Sequence, residues 1–342
     1  MKKALVLTIC LILINTVLFH GYAEAESLSD EEGYSISHSY GSMAPTRIRE
    51  LLRHDECFYA IVDEPQGLFG NHVVHKVKEI DLATGKEETL YSNASRRIYG
   101  LMATDEGLYF LEPNLYHNNN TAYRIDLKSK KKTRQIGQEY SPWDLLGVNE
   151  RGLYAACVGD EGTEIWCFKD DEAECIVTRA RLVRTVSDNQ VQFGLEGEEQ
   201  RMSYSMESGE TIRAQWPATH DVFYECGSKA ICRVFDKERD IYPIRYTIAD
   251  RMNNESLYHI QPEAFEEYTF ALLEDVLLLA SKEKGEEHFT IRSIDMATGD
   301  CLDEERLTLT SPLFMIGNQV FYEIETDVER KIIEHVRKRV DQ

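Results

Sequence analysis

Four side chains stand out by type and spacing. Arg47, Arg97 and Arg181 each fall twelve residues before an aromatic anchor, namely Tyr59, Tyr109 and Phe193. The same count before Tyr154 reaches Pro142, with Trp143 beside it. Converging guanidinium groups can grip a carboxylate or sulfate through paired hydrogen bonds. An indole offers a flat face on which a sugar or aromatic ring can stack. The implied chemistry is capture of an anionic glycan or peptide. The competing assignment is salt bridging to carboxylates such as Glu50 or Asp144, which would only glue structural units together. Two loops add candidates. Phe69 lies within 63–71, and Tyr116 precedes Asn118, Asn119 and Asn120. Asn-rich loops with aromatic tips suit recognition, and they are also common turn fillers.

Other chemistries find less support. His72-Val-Val-His75 falls on an expected strand, where a spacing of three sends the rings to opposite faces. The sequence has no His-Glu-x-x-His and no EF-hand loop, so neither a metal nor a cofactor is expected. No Gly-x-Ser-x-Gly elbow or phosphate-cradling glycine loop is present either. With 60 acidic side chains, carboxylate pairs are plentiful. A glycoside hydrolase or lyase would need two of them at a set separation across a cleft. A carbohydrate-active enzyme is therefore the alternative to a non-enzymatic binding scaffold.

The elements that would position these residues repeat along the chain. Hairpin turns recur as Ile80-Asp-Leu-Ala-Thr-Gly-Lys86, Ile125-Asp-Leu-Lys-Ser-Lys-Lys131, Tyr204-Ser-Met-Glu-Ser-Gly-Glu210 and Ile294-Asp-Met-Ala-Thr-Gly-Asp300. The spacing is about 45 residues or twice that, with strand-type units throughout, which predicts a β-propeller. Seven second strands are expected, at Cys57–Val62, Gly107–Leu111, Gly152–Ala156, Val191–Leu195, Val222–Glu225, Val276–Ala280 and Val320–Ile324. The expected fold is all-β, a single propeller of seven four-stranded blades spanning 47–342. The last unit lacks an outer strand, and residues 26–46, with Tyr34–Tyr40 foremost, are expected to supply it and close the ring. Residues 331–336 are read as strand rather than helix. An insertion is expected at 236–261, with a short helix near Ile248–Asn254. In such a ring the three arginines and Trp143 would surround the mouth of the central channel.

The pattern Gly-Leu-Tyr-Phe followed by an Ile-Asp-Leu-x-Thr-Gly hairpin resembles the YWTD-type propellers of the low-density-lipoprotein-receptor family, and is similar to their secreted bacterial relatives. Leu108-Tyr-Phe-Leu111 stands where that family would show its tetrad. The resemblance implies the propeller fold and leans the function towards a binding platform.

Composition sets outer bounds. The chain has 342 residues, a net charge of -22 and a pI near 4.9. Such a surface repels nucleic acid and anionic lipid. Residues 1–25 read as a signal peptide: Lys2 and Lys3, an apolar run over Ala4–Phe19, then Ala23-Glu-Ala25 as a cleavage site. A retained anchor is the alternative. The expectation is a secreted, extracytoplasmic monomer with no stable membrane insertion, acting on an extracellular protein or glycan. Beyond Cys10, seven cysteines remain, too odd a number for a complete disulfide framework. Cys157 with Cys167 and Cys226 with Cys232 flank hairpins and could bridge. The favoured reading is small hydrophobes in a β-core.

Overall fold

The computed structural model describes residues 33–36 and 46–335, apart from 68–71, 115–118, 171, 188, 196–197, 199, 218–220, 227–228, 236–242, 251–254, 261–263, 274, 317–318 and 326–329. Among these residues the chain is all-β, with no α-helix. The signal-peptide segment lies outside the described residues, as do Phe69 and Tyr116.

Strand β1 (Gly33–Ile36) comes first in the chain. A first sheet follows, of β2 (Arg47–His54), β3 (Cys57–Gln66), β4 (His72–Asp81) and β5 (Glu87–Asn93). The second sheet holds β6 (Tyr99–Thr104), β7 (Gly107–Asn114), β8 (Asn119–Asp126) and β9 (Lys132–Ile136). A long, seven-stranded sheet then runs β10 (Pro142–Asn149), β11 (Gly152–Gly159), β12 (Gly162–Lys169), β13 (Glu172–Ser187), β14 (Gln190–Leu195), β15 (Gln200–Ser205) and β16 (Thr211–Pro217). Strands β17 (Asp221–Cys226), β18 (Lys229–Phe235), β19 (Pro243–Asp250) and β20 (Glu255–Ile260) form the next sheet. Another contains β21 (Glu267–Leu273), β22 (Val276–Lys282), β23 (Phe289–Asp295) and β24 (Cys301–Leu307). The last is ordered β25 (Phe314–Ile316), β26 (Gln319–Glu325), β27 (Arg330–Glu334), β1. There β1 pairs antiparallel with β27, from Gly33 opposite Ile333 to Ile36 opposite Arg330.

The long sheet owes its length to β13. Its Glu172–Val177 half pairs with β12, and its Ala180–Ser187 half pairs with β14. Arg179 (φ 59°) and Leu182 (φ 50°) adopt left-handed backbone at the changeover, next to register shifts in both ladders. Such bulges bend a strand and increase its twist.

Second strands are buried on consecutive positions, so both faces are covered. Phe58, Ala60 and Val62 pack with Phe314, Phe321 and Ile332 of the last sheet. Tyr59 and Ile61 pack with Ile98, Leu108 and Phe110 of the second. Neighbouring sheets therefore stack face to face, with the core between them. First strands also lie side by side: β2 against β25 and β6, β6 against β10, β10 against β13, β13 against β17, and β21 against β25.

The recurring hairpins form as expected. Asp81, Asp126 and Asp295 each accept backbone N–H groups across their own turns through Oδ1, at 2.7–3.2 Å. Gly85, Gly209 and Gly299 have φ of 66–77°, and Lys130 adopts φ 55° in the glycine position of the second turn.

Several expectations change. The second strand of the β17–β20 sheet is β18, not Val222–Glu225, which lies in β17. Its Val-Phe-Tyr-Glu mimics Val320-Phe-Tyr-Glu323, whereas β18 reads Lys-Ala-Ile-Cys-Arg-Val-Phe. Residues 236–261 supply β19 and β20, and Ile248 is in a strand rather than a helix. Residues 330–334 form a strand, as read. Cys157 and Cys167 carry free thiols, which removes the bridge proposed between them, and the side chain of Cys226, in the other proposed bridge, lies outside what the structure describes. Cys157 faces Glu164 across its ladder and Cys167 faces Tyr154.

Candidate functional site

The first strands of the sheets share a defect. Register shifts interrupt β2 between Ile48 and Glu50, β6 between Tyr99 and Met102, and β10 between Pro142 and Asp144. A bulge leaves backbone groups outside the ladder, and here a neighbouring strand satisfies them. Glu50 accepts the N–H of Gly100 at 3.1 Å and of Leu101 at 2.8 Å. Gly100 has φ 70°, a conformation that glycine adopts without a Cβ penalty.

Glu50, Tyr99, Asp144 and Arg184, from β2, β6, β10 and β13, form one electrostatic group. Burial pushes the Asp144 carboxyl up to about 6; Arg184 opposes the shift and Glu50 adds to it. Burial, with the Asp144 and Glu50 charges, raises the Tyr99 phenol to about 12.

The sequence-derived residues sit around this line. Arg47 opens β2 and is exposed, and Arg97 is exposed immediately before β6. No hydrogen bond or ion pair to either is found among the described residues. Arg181 is exposed on β13, opposite Gly194. Trp143 is half-buried and packs on the core of Leu146, Tyr154 and Val183, so part of its surface is already used. Asn119 and Asn120 donate to the carbonyls of Gln138 (3.2 Å) and Pro142 (2.7 Å), tying the second sheet to the start of β10.

Sequence reasoning missed Arg49, Asp63 and His75. His75 Nδ1 lies 2.6 Å from Asp63 Oδ1, and Arg49 Nη1 lies 3.5 Å from the same oxygen. Arg49 Nη1 is buried and makes no hydrogen bond. Burial lowers the Arg49 pKa and the Arg97 charge lowers it further, against the pull of the Asp63 and Glu50 carboxylates. Asp63 faces both Arg47 and His75 across its ladders. Only that cross-strand register reveals the cluster, because the three residues are distant in sequence.

A second polar group lies between the first and second sheets. Glu112, 5% exposed, accepts hydrogen bonds from Tyr91 Oη (2.6 Å), Arg96 Nη1 (3.0 Å) and Lys132 Nζ (3.2 Å). Burial raises its carboxyl, but these donors outweigh burial and hold it below the usual range. The Lys132 ammonium sits 3.8 Å from the Tyr91 ring centroid and 3.6 Å from that of Tyr123. Lys130 reaches Glu79 at 2.8 Å. The lysine-rich turn is thus partly committed to the joint.

At the opposite tips, His54 Nε2 lies 3.3 Å from Asp105 Oδ1 and 3.8 Å from Asp55 Oδ2. Both carboxylates are largely exposed.

No family model matches the sequence, and no curated protein matches it significantly. Among solved structures, the chain is similar to the β-propeller domain of the trilobed protease from Pyrococcus furiosus, described as having an open velcro topology. Identity is 11%, with 86% of this chain and 94% of that one covered, at a TM-score of 0.52. A chain of a mitotic checkpoint complex shares 9% identity over 93% of this chain and 97% of its own, also at 0.52. BamB from Moraxella catarrhalis shares 11% over 87% and 98%, at 0.47. At these identities the likeness establishes the fold alone: the protein is a β-propeller.

Proposed function

We propose that this chain is an exported, non-enzymatic propeller that serves as a binding scaffold and recognises an anionic glycan or peptide at its channel mouth. The observation that carries the reading is the pair Arg47 and Arg97. Both are exposed at first-strand starts, with no partner among the described residues, in a protein of charge -22. Exposed guanidiniums stay hydrated at little cost, and their open donor forks are free to pair with a ligand's carboxylate or sulfate. Arg181 and the open part of Trp143 complete the mouth in this reading, and Phe69 and Tyr116, the other sequence candidates, lie outside the described residues. Localisation outside the cytoplasm rests on residues 1–25, and kinship with YWTD-type propellers rests on the repeated hairpins.

Seven blades belong to the same reading. The long sheet divides at β13 into two four-stranded units, and β1 serves as the outer strand of the last blade, closing the ring. Contact of β25 with β2 supports that closure.

The test is thermal melting of the purified protein and a triple Arg47/Arg97/Arg181→Ala variant against acidic glycans, neutral glycans and cell-wall fragments. A ligand that binds only the folded state raises the melting temperature. A shift in the wild type that the variant loses supports the reading. No shift with any ligand, in a variant that is merely less stable, makes the arginines structural.

One observation favours the enzyme alternative. Asp144 is a buried carboxyl pushed up to about 6, with the Glu50 carboxylate nearby, a pairing that general acid catalysis of glycoside cleavage can use. Glu50 is, however, engaged by two backbone N–H groups. Turnover of any panel glycan that Asp144→Asn abolishes would decide for the enzyme.

A further inference from the structure

We infer that His54, Asp55 and Asp105 form a binding site for a divalent transition-metal ion of the zinc class, held between hairpin tips of the first and second sheets. The site lies at the far ends of β2 and β6 from Arg47 and Arg97, roughly 23 Å along the strands. It is therefore separate from the anion contact proposed above, and either reading can fail without the other.

The two turns are built alike. His54 ends β2, and Asp55 leads the turn into β3. Thr104 ends β6, and Asp105 leads the turn into β7. Strand β2 lies beside β6, which brings the two tips together although their residues are distant in sequence. Only the end of β2 offers a nitrogen ligand, so the pair of turns supplies one imidazole and two carboxylates.

The distances fit an ion. His54 Nε2 lies 3.3 Å from Asp105 Oδ1 and 3.8 Å from Asp55 Oδ2, and the three ligand atoms all fall within 4.8 Å of one another. Atoms bound about 2.0–2.1 Å from a tetrahedral zinc ion stand about 3.3 Å apart. One edge of the triangle already has that length, and the exposed carboxylates can close the others by side-chain rotation. His54 is the anchor. Its side chain is only 20% exposed, and Nε2 is buried without a hydrogen bond. The Asp105 oxygen 3.3 Å away is a neighbour, not an acceptor. Ligands of a shared ion stand in that relation, each lone pair directed at the ion rather than at the next ligand.

Charge and donor type choose the ion. Asp55 and Asp105 bring two negative charges to one imidazole, and Glu56 and Glu106 follow them in the turns. Arg124, the cation at the second turn, is held by Glu106 and Asp126. By strand alternation Arg53 projects to the other face of β2 from His54. A divalent cation would offset the two aspartates. Calcium and magnesium take oxygen ligands, whereas an imidazole nitrogen suits zinc and its neighbours. Three protein ligands leave a coordination position for water.

The test uses the full chain, purified without a histidine tag and stripped of metal by chelation, titrated calorimetrically with Zn2+ and with Ca2+. Cobalt(II) adds an optical readout, because the tetrahedral ion absorbs visible light far more strongly than the hydrated one. The variants are His54→Ala and Asp105→Asn, the second at an almost fully exposed side chain and so safe for folding. The controls are His75→Ala and Cys301→Ser, which remove a second His–carboxylate pair and an exposed thiol. One zinc ion per chain, bound at least tenfold more weakly in His54→Ala and in Asp105→Asn but not in the controls, establishes the site. The cobalt band should fade in the same two variants. Absence of saturable zinc binding, calcium binding as tightly as zinc, or affinity unchanged in Asp105→Asn overturns the inference. So does an ion that only His75→Ala or Cys301→Ser displaces, since it would then be bound elsewhere.

Discussion

The joint between the first and second sheets and the joint inside the long sheet bring neighbouring units together by different means. In the first, the backbone leaves β5, turns through 94–98 and starts afresh at β6, and polar side chains secure the contact. Glu50 takes two N–H groups of β6, Lys130 reaches Glu79, and Glu112 gathers Tyr91, Arg96 and Lys132. In the second, β13 simply continues from one unit into the next, and an apolar cluster of Tyr154, Val183, Val191, Phe193 and Tyr204 fills the space. Where the chain itself makes the connection, apolar packing is supplemented by neutral hydrogen bonds from Asn149, Tyr154 and Thr185 to backbone carbonyls across the joint. Where it does not, directional groups fix the relative placement of the sheets.

The contrast can be broken by mutation. Phe193→Ala should have the largest effect, a loss of about 4 kcal/mol by urea unfolding, because it empties a fully buried aromatic site. The loss should be the same at low and high salt. Glu112→Ala should cost about 3 kcal/mol, since it strands the buried Lys132 ammonium. Adding Lys132→Met to that variant should recover much of the loss, a non-additivity that a double-mutant cycle reads directly. If the two changes simply add, the polar joint is not a coupled lock.

The smallest effect is a dependence on pH. Asp144 binds its proton more tightly in the folded state, at about 6, than at its ordinary value of 3.8. Between those values the folded protein holds more protons than the unfolded chain, so stability falls as pH rises through the window. The fall should be on the order of 2 kcal/mol between about pH 4 and pH 6. Asp144→Asn should flatten that part of the profile while leaving the cost of Phe193→Ala unchanged. A slope that persists in the variant would remove Asp144 as its source.

Much of this was legible in the chain. The hairpins at Asp81, Asp126 and Asp295 follow from local turn chemistry, which acts over four or five residues and is written there. Five of the expected second strands, β3, β7, β11, β22 and β26, lie second in their sheets, and Val191–Leu195 is a strand within the long sheet, for the same reason. The miss at Val222–Glu225 shows the limit of that signal, because a first strand can carry the same residues as a second. Arg47 and Arg97 were found by counting along the repeat. Arg49, Asp63 and His75 were not, because bulges in the first strands break the alternation that counting relies on. Nothing in the sequence marks Glu112 and Lys132, because the cover over them comes from the first sheet packed against the second.

The continuity of β13 has a consequence for how the molecule can change over generations. At the other joints, connecting segments such as 94–98 and 137–141 lie outside the ladders. Residues can be inserted there, lengthening a loop while every register stays intact. At Val177–Ala180 an added residue would fall inside a strand bonded on both halves and would shift one ladder against the other. One sector of the rim is therefore closed to elaboration, and descendants of this chain would acquire new recognition loops everywhere except there.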